Sequence, residues 1–306
     1  MGIFDNLDLL RAFATIVDSG SISAAARKLR LTQPTLSRQL QALESRSGTA
    51  LLRRDTHRMS LTDTGHQVLA DAKALLSMVE ECESRLRTDQ VALSGTIRVF
   101  STIDFGQTVV SRLISSFIQA NPAVRVELGY SNRPLHMIEE GCDAGILAGS
   151  LRDERVVSRP LGDITRCVVG SASLFKDRRK PARPEDLSSF PWVALSGSQF
   201  GNPKHMTLHS GTEVRTLDLD PVFVTEGGAS IREAVRMGLG VAVLPEWFVE
   251  EDLISGRMVR LLPKWQAKPW AAQIVYPAQR QMSARVKAFV EFATQYMATV
   301  LKSRPR

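Results

Sequence analysis

The sequence predicts an α/β protein that begins with a small all-α domain and one long linker helix. Apolar residues recur at helical spacing through roughly the first 90 positions. After position 96, short strand-like runs alternate with helix-like runs, a pattern typical of helices packed on a sheet. A Leu-Ser-Gly-Thr turn signal at 93–96 separates the two patterns.

Length and composition limit the class of protein. The chain has 306 residues, enough for two or three domains, and 43% of them are hydrophobic. Cys82, Cys142 and Cys167 are too few and too widely spaced for a disulfide framework or a zinc site. We interpret them as ordinary thiols, with a redox-sensing pair as the alternative. Because the sequence shows neither a signal peptide nor an apolar run of membrane-spanning length, we expect a cytoplasmic protein without metal or cofactor.

A compact basic patch lies near the N-terminus. The whole chain carries a net charge of +7. Residues 27–58 contain eight Lys or Arg and two acids, a net charge of +6, whereas residues 59–92 have a net charge of −3. A local excess of positive charge favours a polyanionic partner, either nucleic acid or an acidic membrane surface.

The first 48 residues predict three helices. Ser21 and Thr32 are N-cap candidates for the second and third helices, and Pro34 lies in the first turn of the third, where its missing N–H costs nothing. Gly20 and Gly48 end the first and third helices. The first helix has one apolar face, made of Leu7, Leu10, Phe13, Ala14 and Val17.

The third helix has one apolar face and one face of hydrogen-bonding groups. Leu36, Leu40 and Leu43 share the apolar face. Arg and Gln side chains can pair with guanine and adenine edges in the major groove, which makes Arg38 and Gln41 candidate base readers. A basic, hairpin-sized segment at 51–61 would form a wing. The full DNA-binding candidate set is Ser23, Thr32, Gln33, Pro34, Thr35, Ser37, Arg38, Gln41, Arg53, Arg54 and Arg58. By periodicity alone, an ordinary three-helix bundle with a solvated face fits equally well.

A long helix is predicted from residue 63 to about residue 89. Its apolar positions are spaced 4, 3, 4, 3 and 4 apart, as in a coiled-coil seam that pairs two helices. The alternative is an amphipathic helix that lies on its own domain. The seam candidates are Val68, Ala72, Leu75, Val79, Cys82 and Leu86.

The remaining chain predicts strands and helices in alternation, and hence mostly parallel sheets. Strands are expected at 97–101, 124–130, 143–148, 165–170, 192–195, 222–225, 241–244, 258–262 and 272–276. Helices are expected at 107–120, 135–140, 228–237 and 283–301.

Several residue strings resemble the LysR-type transcriptional regulators. Residues 20–29 read Gly-Ser-Ile-Ser-Ala-Ala-Ala-Arg-Lys-Leu, and residues 31–40 read Leu-Thr-Gln-Pro-Thr-Leu-Ser-Arg-Gln-Leu. The match continues through Leu-Leu-Arg-Arg at 51–54, Leu-Thr-Asp-Thr-Gly at 61–65 and Gly-Leu-Gly-Val-Ala-Val-Leu-Pro at 238–245. Thr32 and Leu52 depart from the family's commoner Ser and Phe, and neither change removes a DNA-contacting group.

The resemblance implies a winged helix-turn-helix at 1–62, a linker and dimerisation helix at 63–92, and an effector-binding domain at 93–306. That domain would resemble periplasmic binding proteins, with two Rossmann-like α/β subdomains, one at about 95–165 plus 270–302 and the other at about 166–269. The protein would bind promoter DNA under control of a small-molecule effector. It would be a homodimer, usually assembled into a homotetramer, and RNA polymerase stays open as a further partner.

By position, the resemblance assigns the effector to polar residues at strand ends. Hydroxyls and N–H groups beside a helix start would suit a carboxylate, while the two acids in the set argue against a purely anionic ligand. The same residue types also cap helices, so for any single one capping is an equal alternative. The candidates are Ser101, Thr102, Asp104, Ser131, Ser198, Thr225, Glu226 and Gly228.

Two other classes of function are an enzyme and an architectural DNA-binding protein. An enzyme would need a catalytic motif, and the sequence has no P-loop, no nucleophile elbow and no HExxH motif. His205 and His209 have metal-ligand spacing only if helical, and the surrounding residues predict a loop. An architectural DNA-binding protein would leave the long α/β region without a role. We therefore expect a regulator and not an enzyme.

Overall fold

The computed structural model describes residues 2–54, 59–87, 93–132, 141–149, 155–197, 200–278 and 282–302. The predicted helix at 135–140, Ser198 and Arg58 lie outside these residues. No helix in the described part of the chain is long and apolar enough to cross a membrane.

The N-terminal domain has the three predicted helices followed by a two-stranded hairpin. The helices are α1 (Leu7–Ser19), α2 (Ile22–Leu29) and α3 (Gln33–Ser47), and the hairpin strands are β1 (Leu52–Arg54) and β2 (Met59–Leu61). Ser21 accepts a hydrogen bond from the Ala24 amide, and Thr32 accepts one from the Thr35 amide, which confirms both predicted N-caps. Gly20 and Gly48 take left-handed conformations at the helix ends.

The linker helix α4 (Asp63–Arg87) packs against its own N-terminal domain over its first turns. Val68 and Ala72 are buried in the core of that domain, and Leu75 is packed against the same core. Val68 and Ala72 are therefore covered by their own domain, which corrects their place in the predicted seam, whereas Leu75 is only partly buried and stays a seam candidate. Further along, Val79 is half-buried and Cys82 is exposed, while the side chain of Leu86 is outside the described residues.

The rest of the chain forms a mixed sheet covered by helices. The strands are β3 (Gly95–Ser101), β4 (Val124–Tyr130), β5 (Ala144–Ala148), β6 (Val156–Ser171), β7 (Trp192–Leu195), β8 (His205–Ser210), β9 (Glu213–Asp218), β10 (Pro221–Thr225), β11 (Val241–Pro245), β12 (Met258–Leu261) and β13 (Gln266–Pro277). The helices are α5 (Ile103–Phe105), a π-helical turn (Gly106–Val110), α6 (Ser111–Ala120), α7 (Gly228–Arg236), α8 (Glu246–Ile254) and α9 (Ala284–Lys302), with 3-10 turns at Ala172–Phe175 and Pro184–Ser189.

The sheet contains two parallel cores joined by two long antiparallel strands. Strand β3 pairs in parallel with β4 and β5, and β7 pairs in parallel with β10 and β11. Strands β6 and β13 pair antiparallel with each other and run through both cores. We call the unit built on β3–β5, α6 and α9 the first subdomain, and the unit built on β7–β12, α7 and α8 the second. The prediction of mostly parallel sheets is thus right within each core and wrong for the strands that connect them.

Strands β8 and β9 and helix α8 of the second subdomain were not predicted from the sequence. The segment containing His205 and His209, expected to be a loop, is strand β8 of an antiparallel hairpin with β9. His205 bonds to Asp218 across that hairpin. Helix α8 follows β11 directly, and its Trp247 and Phe248 bring aromatic rings to the junction of the two subdomains.

Candidate functional site

The outer side of α3 is the candidate DNA-reading face. Leu36, Leu40 and Leu43 are fully buried beneath it, as the periodicity predicts. Arg38 and Gln41 are exposed on the opposite side, and Ser37 at the flank of this face is half-buried. The buried leucines fix the helix on its domain, so that the guanidinium and amide groups point away from the core.

Hydrogen bonds among the predicted contact residues tie the start of α3 to α2. The hydroxyl of Ser23 donates to Oε1 of Gln33 at 3.2 Å, and the Thr32 and Thr35 hydroxyls lie 2.7 Å apart. Pro34, also exposed, occupies the first turn of α3. These residues set the geometry of the helix-turn-helix in addition to lining its surface.

The hairpin is fixed to α3 through one carboxylate. Oε1 of Glu44 accepts hydrogen bonds from the amides of Leu51 and Leu52, at 2.9 and 3.3 Å. Thr62 accepts a hydrogen bond from the Gly65 amide at the start of α4, and a Cβ atom on residue 65 would lie 2.1 Å from the Leu51 carbonyl oxygen. This close approach requires glycine, and it holds the wing beside the reading face.

The wing carries part of the predicted basic patch. Arg53 is exposed on β1, opposite Ser60 of β2. Arg54 ends the same strand, and its side chain lies outside the described residues. A cation on the outer side of such a hairpin is suited to a phosphate of the DNA backbone.

A cavity lies between the two subdomains, with about 410 Å³ of empty space, part of it open to solvent. Thr102, Phe105 and Asn132 line it from the first subdomain, and Trp247 and Phe248 line it from the second. We call it the interdomain cavity. Its walls are mainly aliphatic and aromatic, as is usual for small-molecule sites.

One polar group in a residue of this wall lacks a partner. The indole Nε1 of Trp247 is buried and has no hydrogen-bond partner among the described residues. An unsatisfied buried donor costs about 1–3 kcal/mol.

The carboxylate of Asp104 connects the two subdomains. It accepts hydrogen bonds from the amides of Gly228 and Ala229, at 2.7 and 2.9 Å, at the N-terminus of α7. A negative charge there is stabilised by the free N–H groups and the helix dipole. A Cβ atom on residue 228 would lie 2.8 Å from this carboxylate, so the contact depends on glycine. Asp104 thus occupies one of the helix starts at which the resemblance placed the effector.

Asn132 forms a second connection. Its side-chain oxygen accepts a hydrogen bond from the Ile103 amide at 3.1 Å, and its Nδ2 donates to the carbonyl oxygen of Glu226 in the second subdomain. The sequence did not single out Asn132, because its role depends on a partner 94 positions away.

Most of the predicted effector residues have other roles. Ser101 is buried and donates to the Ile146 carbonyl, so it belongs to the core. The Thr225 hydroxyl accepts from the Gly227 amide, as a turn residue does. Neither these two nor Ser131 and Glu226 line the interdomain cavity. The predicted residues that do line it are Thr102, Asp104 and Gly228.

The aromatic residues of the interdomain cavity were not predicted from the sequence. The interdomain cavity is lined by aromatic residues from distant segments of the chain, namely Phe105, Phe200, Trp247 and Trp270. The adjacent Trp247 and Phe248 after the Pro245 strand end were the one local signal, since helix starts at strand ends border ligand clefts.

Two buried cysteines bear on the redox alternative. Cys142 and Cys167 are buried, and burial raises the pKa of Cys167 to about 12. A thiol with so high a pKa stays protonated at neutral pH and is a poor nucleophile. Cys82 is exposed.

Two family models match separate parts of the chain. The bacterial regulatory helix-turn-helix protein, lysR family, matches residues 7–66. The LysR substrate binding domain matches residues 91–298, which include the interdomain cavity.

Curated relatives match over almost their whole length. The uncharacterized HTH-type transcriptional regulator YhjC of Escherichia coli is 29% identical over 298 residues, covering 97% of this chain and 98% of the relative. An HTH-type transcriptional repressor of Pseudomonas aeruginosa is 28% identical, covering 96% and 93%. The HTH-type transcriptional activator AaeR of Escherichia coli is 26% identical, covering 97% and 96%.

Solved structures share the fold. Full-length AphB from Vibrio cholerae has a TM-score of 0.62 at 22% identity, covering 95% of this chain and 99% of that chain. CrgA from Neisseria meningitidis has a TM-score of 0.60 at 24% identity, covering 95% and 99%. Full-length OxyR from Pseudomonas aeruginosa has a TM-score of 0.66 at 19% identity, covering 95% and 94%.

Proposed function

Because this chain belongs to the LysR-type transcriptional regulators, we propose a specific assignment of its DNA-reading, effector-binding and dimerising residues. It is a DNA-binding regulator with a substrate-binding domain for an effector. The relatives include both a repressor and an activator, so the direction of regulation is left to experiment.

Arg38 and Gln41 are proposed to read base edges in the major groove, with Arg53 on a phosphate. Two observations support this assignment. Arg38 and Gln41 are exposed on the side of α3 opposite the buried Leu36, Leu40 and Leu43. Arg53 is exposed on the wing. Bidentate pairing of Arg with guanine contributes about 1–3 kcal/mol of discrimination.

The test is Arg38→Ala, measured by fluorescence anisotropy on the DNA upstream of the protein's own gene. We expect specific affinity to fall roughly 5- to 150-fold, while binding to unrelated DNA changes little. Arg11→Ala is the matched control, since Arg11 is an exposed arginine on α1 that faces Asp8. Normal specific affinity in Arg38→Ala would contradict the assignment.

The effector is proposed to occupy the interdomain cavity, with an acceptor atom on the Trp247 indole N–H and an apolar body against Phe105 and Phe248. The unsatisfied Nε1 and the apolar wall support this placement. A thermal-shift screen of small metabolites on the full-length protein would identify the compound. Its stabilising effect should shrink in Trp247→Phe, which keeps an aromatic ring and removes the donor. A compound that stabilises both proteins equally binds elsewhere.

Dimerisation is proposed to use the second half of α4. Met78 is 58% exposed, Val79 is half-buried and Cys82 is exposed, whereas the apolar residues Val68 and Ala72 of the first half are buried in their own chain. We propose a homotetramer as the further assembly and the cytoplasm as the compartment, since the protein must reach promoter DNA. We assign it no enzymatic reaction.

A further inference from the structure

A second chamber lies in the second subdomain, beside the interdomain cavity. It encloses about 710 Å³ of empty space, part of it open to solvent. Strands β6, β7, β8 and β13 contribute its lining, which includes Arg166, Trp192, His205 and Lys268. We call it the Arg166 chamber. Phe200 and Trp270, whose ring centroids are 4.6 Å apart, line both cavities and form the wall between them.

Arg166 is held in one orientation inside this chamber. Its Nε donates to the Lys268 carbonyl at 2.9 Å, and its Nη2 donates to the same oxygen. Its Cζ lies 4.3 Å from the centre of the Trp270 ring. One edge of the guanidinium and one face are therefore occupied. The Nη1–Nη2 edge, which can bind a carboxylate through two parallel hydrogen bonds, is left without a protein partner among the described residues.

The chamber is positively charged. Its charged or ionisable lining residues are Arg166, Lys268 and His205, and no acid lines it in the described part of the chain. His205 bonds to Asp218 on the neighbouring strand, whereas Arg166 forms no ion pair with any described carboxylate. Burial lowers the pKa of Arg166 to about 10, which still leaves the guanidinium charged at neutral pH. A partly desolvated cation without a counter-ion gains more from an incoming anion than an exposed one does.

We propose that the Arg166 chamber binds a small organic carboxylate with a planar apolar body. The carboxylate would pair with the Nη1–Nη2 edge of Arg166, and the body would lie against Trp192 and Phe200. This site is additional to the effector site in the interdomain cavity. Since Arg166 lies on β6 and donates to the Lys268 carbonyl of β13, an anion there would act on the two strands that connect the subdomains.

Calorimetric titration of the full-length wild-type protein with benzoate and with benzamide gives the first test. The two probes share a planar ring and differ in charge. We expect benzoate to bind at least about tenfold more tightly, because a charge-assisted hydrogen bond contributes about 1.5–3 kcal/mol. Equal affinities, or no binding of benzoate, would overturn the proposal.

Variants locate the binding site. Arg166→Met should weaken benzoate at least about tenfold. Arg159→Met is the matched control on the same strand, where Arg159 lies 5.4 Å from the Tyr276 ring centre, and it should bind normally. If Arg166→Met does not fold, Arg166→Lys keeps the charge without the fork, and it should also bind benzoate more weakly. Unchanged affinity in a folded Arg166 variant overturns the proposal.

One further variant separates this site from the proposed effector site. Trp247→Phe alters the interdomain cavity and leaves the Arg166 chamber intact, so it should bind benzoate like the wild type. If Trp247→Phe loses benzoate and the Arg166 variants retain it, the anion binds in the interdomain cavity and the chamber proposal fails. Failure of the screened effector to respond to Trp247→Phe would instead count against the proposed function alone.

Discussion

The reading face and the interdomain cavity differ in how their residues reach the surface. On α3, Arg38 and Gln41 are placed by local periodicity over three buried leucines from the same helix. The interdomain cavity brings together Phe105, Trp247 and Trp270, and the first and last of these are more than 140 residues apart in the sequence. Polar residues predicted for the cavity, Asp104 above all, bond to the protein itself. A local sequence pattern can therefore specify an exposed helix face, whereas a site between subdomains depends on contacts between distant segments.

The largest effect is expected for Asp252→Asn, in a network made only by distant contacts. Asp252 is fully buried and bonds to Arg232 and Arg236 of α7 and to Arg257. Removing its charge takes away the one buried carboxylate that the three guanidinium groups share and should destabilise the effector-binding domain by about 3–5 kcal/mol. Urea unfolding measures this, with Asp163→Asn, an exposed aspartate on β6, as the control. DNA affinity of the folded variant should be unchanged.

The same residue predicts a dependence on pH. Burial disfavours the charged form, but hydrogen bonds from Arg236, Arg232 and Arg257 outweigh it and hold the pKa of Asp252 below its ordinary 3.8. A lowered native pKa adds stability above the unfolded value, and that stability is lost as the pH falls through the native value. The difference between wild type and Asp252→Asn should therefore be constant above about pH 5 and shrink below about pH 4. A difference that grows on acidification would contradict this.

Val79→Asp tests whether α4 serves two different surfaces. Its first half packs on the N-terminal domain, and we assign its second half to a partner chain. The substitution should weaken the dimer by at least about 2 kcal/mol, since the interface would bury unpaired carboxylates. Gln67→Asp adds the same charge at an exposed position of the first half and should leave sedimentation unchanged. An intact dimer in Val79→Asp would remove this residue from the interface.

Asp104→Ala tests the contact that joins the subdomains. Loss of a carboxylate at a helix N-terminus should cost about 0.5–2 kcal/mol in thermal unfolding of the effector-binding domain. Asp104→Asn keeps one acceptor for the Gly228 and Ala229 amides and should lose less. Equal stability of all three proteins would mean that the carboxylate does not hold α7.

Arg53→Ala should have the smallest effect. A single phosphate contact on the wing contributes to affinity without reading sequence, so specific and unrelated DNA should weaken alike. The slope of log affinity against log salt concentration should fall by about one. A selective loss at one base position would instead make Arg53 a base reader.

Features that depend on residues close together in the sequence could be predicted from it, and features that depend on distant residues could not. The caps Ser21 and Thr32 and the leucine face of α3 are confirmed, because they depend on residues within one or two helical turns. The strand at 192–195 is confirmed for the same reason. The residue types around His205 and His209 predict a loop, but this segment is strand β8, because pairing with β9 and not its own residue types stabilises it.

The linker helix shows the limit most clearly. The spacing from Val68 to Leu86 predicts one apolar stripe along the helix. Spacing cannot tell which protein surface covers each part of it, and only the fold placed Val68 and Ala72 against α4's own domain.

By itself, the sequence determined the helix-turn-helix, its reading face and the order of strands and helices, because periodicity and capping act over a few residues. Only the tertiary structure decided that Asp104 closes on α7, that aromatic rings line the interdomain cavity and that Arg166 faces a second chamber. Each of these depends on groups brought together from distant segments, where burial and hydrogen-bond satisfaction, and not local spacing, fix which side chains meet.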